Sequence, residues 1–372
     1  MNKDIINIRT QTLADLEKFF KEQGGERFRA RQVYDWLWKK TARSFDLMTD
    51  ISIKTRDLLK QHFTLNAVEI NSTQKSEDGT IKMSFKLFDG NIIEGVLIPS
   101  GTRMTACVSS QVGCNLACKF CATGMIRYIR NLNFDEIFDQ VAIIAETARK
   151  EFGQPLSHIV YMGMGEPMLN YHNVLQSVDK ISSEDSLGMS PQRITVSTVG
   201  IAPMIRQLGK DKVRFNLAIS LHSAVNEKRN QIIPYNLRNS LGDLIEAIKY
   251  FHEQTHTRIT IEYVMLKGFN DTIADARALA EFCRNFPVKV NLIQYNPVEN
   301  VPYEDSGQER TEAFKDFLDR KNMVVNIRHS RGKDIDAACG QLANKLNLTL
   351  HPSPLGEGPG VRLGDGGEAE KI

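Results

Sequence analysis

Gly113-Cys114-Asn115-Leu116-Ala117-Cys118-Lys119-Phe120-Cys121-Ala122-Thr123-Gly124 is the stretch on which the reading of this chain turns. Three cysteines share one short loop at C-x3-C-x2-C spacing. Clustered thiolates bind soft metals or iron–sulfur clusters, and the ligand count separates the two. A structural zinc, or a cubane held wholly by protein, takes four ligands. Three thiolates from one loop leave one iron of a 4Fe–4S cluster open to a small molecule. The alternative is a zinc loop with Cys107 as its fourth ligand.

Working outward, strand and helix patterns alternate from Arg103 onward. Strands are expected over 103–109, 157–162, 192–197, 213–219, 258–265 and 288–294. Helices are expected over 134–150, 171–183, 201–209, 240–254, 272–285 and 309–321. Asn133 with Glu136, and Ser240 with Asp243, have the spacing of helix caps. This alternation implies an α/β fold with parallel strands and right-handed crossovers, either a partial (β/α)6 barrel or a doubly wound sheet. In both, ligands gather at the C-terminal ends of the strands, where the cysteine loop lies.

Upstream, residues 66–100 alternate as strands. Ile81, Met83, Phe85 and Leu87 share a face, and Asp89-Gly90 turns the chain into a second strand. Glu94 stands inside that second strand, where a carboxylate is expected to face solvent. Residues 1–65 read as helical, with apolar periodicity over Thr12–Lys21 and Ala30–Lys40. Between Arg27 and Arg43, six basic residues (Arg27, Arg29, Arg31, Lys39, Lys40, Arg43) face one acid, Asp35, with Trp36 and Trp38 among them. Basic side chains interleaved with aromatics suit RNA; a solvated helix with a core tryptophan is the plainer alternative. The expected organisation is a helical domain over 1–65, a β-hairpin extension over 66–100, a core over 101–348 and a disordered tail over 349–372.

Composition sets outer limits. The 372 residues are 41% hydrophobic and 25% charged, as in an ordinary globular protein. No apolar run reaches membrane-spanning length, and Met1-Asn2-Lys3-Asp4 lacks a signal-peptide core, so a cytoplasmic protein without membrane contact is expected. Six cysteines in so long a chain are not a disulfide framework. Cys283 falls on an apolar helical stripe with Ile273, Ala276 and Ala280 and reads as core. With a formal net charge of only +2, any nucleic-acid affinity must come from a local patch.

Further candidate residues sit at the strand ends. Gly163-Met164-Gly165-Glu166-Pro167 closes the second strand, where Gly165 permits close approach and Glu166 can accept from an ammonium group. Ser197, then Ser220-Leu221-His222, then Asn296 follow later strands and ring the same mouth. The cysteine spacing followed one strand later by this glycine motif resembles the radical S-adenosylmethionine (SAM) enzymes, in which SAM occupies the open iron.

A longer set of motifs resembles one family within that group. Cys107-Val108-Ser109-Ser110-Gln111-Val112-Gly113-Cys114, the stretch 163–167, Ile261-Glu262-Tyr263-Val264-Met265-Leu266 and Arg331-Gly332-Lys333-Asp334-Ile335-Asp336-Ala337-Ala338-Cys339-Gly340-Gln341-Leu342 are similar to the RlmN family. These are 23S rRNA adenine-C2 methyltransferases, many of which also modify a tRNA adenosine beside the anticodon. The resemblance spans roughly residues 10–345 and favours the partial barrel.

It implies a 4Fe–4S cluster on Cys114, Cys118 and Cys121, with SAM held by Gly165, Glu166, Ser197, Ser220, Leu221, His222 and Asn296. It also implies two SAM molecules per turnover. One methylates Cys339; the other yields a 5′-deoxyadenosyl radical that takes hydrogen from that methyl group. The carbon radical adds to the base, Glu94 takes the ring proton, and Cys107 releases the product by forming a disulfide with Cys339. The partners implied are 23S rRNA, tRNA and an electron donor such as flavodoxin or ferredoxin; a monomer is expected. The related antibiotic-resistance enzymes, which modify C8 of the same rRNA base, share these cysteines. A zinc-stabilised RNA-binding protein is the non-enzymatic alternative. The segment Gly124-Met125-Ile126-Arg127-Tyr128-Ile129-Arg130-Asn131 is basic and aromatic and is read as an RNA contact or an entrance.

Overall fold

The computed structural model describes residues 5–343. The tail over 349–372 and the end of the expected core lie outside that range. At the N-terminus, β1 (Ile6–Asn7) leads to helices α1 (Leu13–Glu22), α2 (Phe28–Trp38) and α3 (Ile53–His62), and β2 (Phe63–Thr64) returns parallel to β1. Thr12 starts α1 through a capping box with Asp15, satisfying N–H groups that a helix leaves free at its first turn.

Three antiparallel strands follow: β3 (Glu69–Lys75), β4 (Ile81–Lys86) and β5 (Ile92–Ser100). Strand β3 is exposed along its whole length, and its register with β4 shifts between Ile70 and Ser72. Strand β6 (Arg103–Cys107) pairs with β5 and begins the parallel part of the sheet. The cysteine loop leaves β6 between two short paired strands, β7 (Gln111–Val112) and β8 (Arg130–Asn131).

The chain then runs through α4 (Phe134–Phe152), β9 (His158–Tyr161), α5 (Tyr171–Ser182), β10 (Ile194–Thr198), α6 (Ala202–Lys210) and β11 (Asn216–Ser220). It continues through α7 (Asn226–Ile232), α8 (Leu241–Thr255), β12 (Ile259–Met265), α9 (Ile273–Cys283), β13 (Val288–Gln294), α10 (Gln308–Asp319) and β14 (Val324–Arg328). The caps expected at Asn133/Glu136 and Ser240/Asp243 are both formed.

These strands make one ten-stranded sheet in the order β14-β13-β12-β11-β10-β9-β6-β5-β4-β3. From β6 to β14 every neighbouring pair is parallel, with helices as crossovers. This is the expected partial barrel, extended by a seventh parallel strand, β14, that the sequence pattern did not reveal. The sheet curls enough for Ile98 on β5, Cys107 on β6 and Arg328 on β14 to line one cavity.

Two expectations are corrected here. Glu94 does not face solvent; it is buried. Strand β5 has neighbours on both edges, and the chain near Ala343 covers its face, Ala343 N donating to Glu94 Oε2 at 3.0 Å. Ile273 is exposed at the start of α9, whereas Cys283 at its end is buried in the core as expected.

The N-terminal helices are locked to the barrel by a buried ion pair. Arg9 Nη1 lies 2.5 Å from Asp139 Oδ2 on α4, with both side chains fully buried. Asp139 also accepts from Val68 N at 2.9 Å. Trp38, likewise buried, stacks on Phe134 of α4 with ring centres 5.9 Å apart.

The basic stretch is largely neutralised. Arg27 pairs with Glu17, Arg31 with Asp35 and Asp185, Lys39 with Asp35 and Asp185, Lys40 with Asp50, and Arg43 with Glu146. Of the six cations, Arg29 alone has no ion pair among the described residues; its guanidinium lies over the exposed Phe28 ring.

Removing one member of a buried ion pair strands the other's charge in a low-dielectric site. Asp139→Asn is expected to lower unfolding free energy by roughly 3–5 kcal/mol, read as a shift of the urea midpoint. An unshifted midpoint would show that Arg9 finds another partner.

Candidate active site

The cysteine loop is shaped by close backbone approach. Gly113 has φ +75°, and a Cβ there would lie 2.1 Å from Arg127 O; one at Gly124 would lie 2.7 Å from Cys118 O. Glycine therefore permits the loop to close on itself. Burial raises the thiol pKa of Cys114 to about 12 and that of Cys118 well above its ordinary value. Neighbouring Cys121 and Cys114 add to the effect on Cys118, so the three thiols sit within electrostatic reach of one another. Among the described residues no three His, Cys, Asp or Glu side chains converge as ligands of a single metal ion. Cys107 stands beside Cys339 rather than in the loop. The donor set offered by the loop is three half-buried thiols, which suits a cluster with one open iron.

Two cavities meet at the C-terminal ends of the strands and share Cys121, Met162, Gly163, Ile293, Arg328, Cys339 and Gly340. The first also takes in Cys107 and Ile98; the second takes in Gly165, Glu166, Ser197, Ser220 and His222. Five of the seven residues expected to hold SAM thus face one space. Leu221 lines neither cavity and is buried in the core. Asn296 also lines neither, but its buried Oδ1 has no hydrogen-bond partner among the described residues, and its Nδ2 reaches Cys339 O at 3.4 Å. That orphaned acceptor beside the mouth is suited to a ligand donor.

Burial raises the Glu166 pKa to about 7, against opposing hydrogen bonds from Val199 N, the Thr198 side chain and Met168 N. His222 is held neutral: burial, with Arg229 nearby, lowers its pKa to about 3, and Nδ1 accepts from Val264 N at 3.0 Å. Gly165, at φ +99°, leaves no room for a side chain, since a Cβ would meet Gln111 Cβ at 2.5 Å.

Cys339 is exposed and lies on a segment without regular structure. Several contacts hold that segment. Ala122 N donates to Gly340 O at 2.8 Å, Thr123 Oγ1 to Leu342 O at 2.6 Å, and Gln341 Nε2 to Pro297 O at 3.1 Å. Farther back, Asp334 accepts from Ser76 Oγ at 2.6 Å and Gly332 N donates to Asp78 at 2.9 Å. Burial pushes the Cys107 thiol up to about 12, and its neighbour Cys339 adds to this while Arg328 opposes it. Glu94 lines neither cavity; its carboxylate meets Ala343 N and lies 3.7 Å from Lys82 Nζ.

Arg328 is the residue that sequence reasoning missed. It ends β14, lines both cavities and pairs with Glu262 Oε2 at 3.2 Å. Burial works against its charge, but Cys339, Glu262 and Cys107 together raise its pKa. Toward Cys107 its charge opposes the rise that burial imposes on that thiol. The signal available was a lone Arg at the end of a short Val-Val-Asn-Ile run.

Two known families match separate parts of the chain. Residues 6–65 match the family described as the ribosomal RNA large subunit methyltransferase N-terminal domain, and residues 108–283 match the radical SAM superfamily. The chain is 52% identical over 339 residues to the probable dual-specificity RNA methyltransferase RlmN of Christiangramia forsetii, covering 91% of this chain and 96% of the relative. This chain belongs to the RlmN family of radical SAM RNA methyltransferases. The dual-specificity RNA methyltransferase RlmN of Nitratidesulfovibrio vulgaris is 44% identical over 351 residues, covering 91% and 94% of the two chains. A crystal structure of a radical SAM methyltransferase from Sphaerobacter thermophilus superposes with a TM-score of 0.86 at 38% identity, covering 91% and 99%. Membership in this RlmN family implies SAM and a 4Fe–4S cluster as cofactors. Among the described residues no helix is long and apolar enough to cross a membrane.

Arg328→Met is expected to slow alkylation of Cys339 by the anionic iodoacetate about five- to tenfold, and by neutral iodoacetamide much less, because the cation beside the thiol attracts the anion. Peptide mass spectrometry reads both rates. An unchanged iodoacetate rate would make Arg328 only a wall of the cavity.

Proposed function

We propose that the enzyme methylates carbon 2 of an adenosine in 23S rRNA and carbon 2 of the tRNA adenosine 3′ of the anticodon, with Cys339 as the methyl carrier. The observation that supports this most is the meeting of Cys107 and Cys339 in one chamber, joined to the pocket of Glu166, Ser197 and Ser220. The N-terminal match to a large-subunit rRNA methyltransferase domain supports the rRNA target, and the relatives' description as dual-specificity supports a second RNA.

Adenine carbon 2 is electron-poor and is no nucleophile, so a methyl group cannot reach it by simple displacement. Cys114, Cys118 and Cys121 would hold the cluster, and Gly165, Glu166, Ser197, Ser220, His222 and Asn296 would hold SAM, two molecules being used per turnover. Once bound, these cofactors would supply the methyl group and a carbon-centred radical able to take hydrogen from a methyl thioether, and would take back the single electron left on the ring when the methylene has added and the ring proton has gone. The chain's own residues do the rest.

Cys339, beside Arg328, accepts the methyl group as a thiolate and later carries the methylene that joins carbon 2. Cys107, buried with its pKa near 12, stays a thiol until that adduct forms. It then loses its proton and its sulfur attacks the Cys339 sulfur. The Cys339 sulfur–methylene bond breaks, its electron pair goes to the methylene carbon, and a proton completes the methyl group. The two thiols are left oxidised as a disulfide, which a reducing cytosol resets. Glu94 is assigned the ring proton; the chain near Ala343 must then shift as RNA enters, because Ala343 N occupies Oε2 in the present arrangement.

Protein-free 23S rRNA and tRNA, incubated with cluster-loaded enzyme and digested to nucleosides, should yield 2-methyladenosine. Exclusive 8-methyladenosine would assign the activity to the antibiotic-resistance type. The same assay with Cys107→Ala should accumulate a covalent RNA–protein adduct through Cys339, and its absence would remove Cys107 from product release.

SAM binding should also depend on pH. A proton and the SAM ammonium group compete for Glu166, whose pKa is raised to about 7. The anion is present above that value, so affinity should rise with pH up to about 7 and level off beyond. Below it, binding should weaken by up to about tenfold per pH unit. Equilibrium dialysis between pH 6 and 8, with Glu166→Gln as a flat control, measures this; a pH-independent wild type would exclude Glu166 as the ammonium acceptor.

A further inference from the structure

Residues 124–131, the basic and aromatic segment after the cysteine loop, line neither catalytic cavity. They fold back over the loop as a flap. The backbone of Arg127 and Tyr128 lies directly against Gly113, next to Cys114, and Gly124 lies directly against the backbone of Cys118.

The exposed side of the flap is unusual. Met125 is 47% exposed and Ile129 50% exposed, with Arg127 exposed between them. Arg130 ties a second turn to the flap. Its guanidinium binds both Glu136 oxygens at 2.7 and 2.8 Å, takes Asp89 at 2.6 Å, and lies over the Phe88 ring at 5.1 Å. Phe88 is itself 53% exposed. Two exposed cations, Arg127 on the flap and Lys119 on the cysteine loop, have no ion-pair partner among the described residues.

We propose that this face docks the protein that delivers electrons to the cluster, an acidic single-electron carrier. The proposal rests on reading the three-cysteine loop as a reducible cluster site. Electron transfer slows exponentially with distance, so a donor must dock where the least chain covers the acceptor. Electron-transfer complexes are small and transient, and opposite charges steer their encounter. A few exposed apolar side chains with unpaired cations nearby fit a negatively charged protein. They fit RNA less well: Met125 and Ile129 offer no ring for a base to stack on, the Phe88 ring already carries Arg130, and Arg130 is neutralised by two carboxylates. The step is one-electron: the carrier is oxidised by one electron, the cluster is reduced by one, and the flap moves no proton. The mouth stays free for RNA while the donor is docked.

The test uses full-length, cluster-loaded enzyme and flavodoxin as the probe. The double variant Arg127→Glu/Ile129→Ser should weaken binding of oxidised flavodoxin by about tenfold at low salt and flatten its salt dependence. Cluster bleaching by flavodoxin hydroquinone should slow at sub-saturating flavodoxin, while bleaching by dithionite and the Kd for RNA stay at wild-type values. Phe88→Ser, which lies outside the cysteine loop, should weaken flavodoxin binding in the same direction and guards against a folding defect in the double variant. Iron-loaded protein whose flavodoxin affinity ignores both changes overturns the docking face. So does a loss of RNA affinity with flavodoxin binding intact, which would make the flap an RNA contact. Wild-type protein that holds no iron would instead overturn the cluster reading beneath it.

Discussion

The clamp on the C-terminal segment is the constraint from which the site follows. Cys339 belongs to no helix or strand, yet its neighbours are bonded to four separate parts of the molecule. Gly340 and Leu342 are held by Ala122 and Thr123 just after the cysteine loop, Gln341 by Pro297 after β13, Ala343 by Glu94 on β5, and Asp334 by Ser76 at the end of β3. One thiol is thereby set against another across a curled sheet, and both are set against the last cysteine of the loop. Each bond contributes only about 1 kcal/mol net, so the position is secured by their number and by the spread of their anchors.

Charge placement follows the same economy. The buried charged groups are met either by ion pairs or by hydrogen bonds. Arg9 with Asp139 joins the accessory helices to α4, and Arg328 with Glu262 joins two strands below the chamber. Arg229 caps three acceptors, Leu221 O, Val199 O and Asn236 Oδ1, and so fixes the loops after β10 and β11. A buried cation left without partners would be costly, so these contacts constrain where the strand ends can lie.

Much of this was legible in the sequence. The cysteine spacing, six of the seven parallel strands and their crossover helices carry strong periodic signals, and the strand-end residues Gly165, Glu166, Ser197, Ser220 and His222 do converge. What escaped has identifiable causes. Strand β14 is short, lies at the sheet edge and alternates exposure weakly, so neither it nor Arg328 stood out. Helix α7 is only seven residues long. The burial of Glu94 is due to a segment some 250 residues later, which no local pattern contains. The basic stretch looked unpaired because Asp50, Glu146 and Asp185 lie beyond the window in which its charge was counted.

An incomplete barrel has a weakness that a closed one lacks: two strands with free backbone donors and acceptors on their outer rims. This chain blunts both. Strand β3 carries Glu69 and Lys75 at its ends, is polar through most of its length, and loses register between Ile70 and Ser72, a break that bends the rim away from a flat template. Strand β14 is five residues long and is packed against α10. The open architecture is thus guarded at both rims against adding a strand of another chain while one side of the barrel stands ajar.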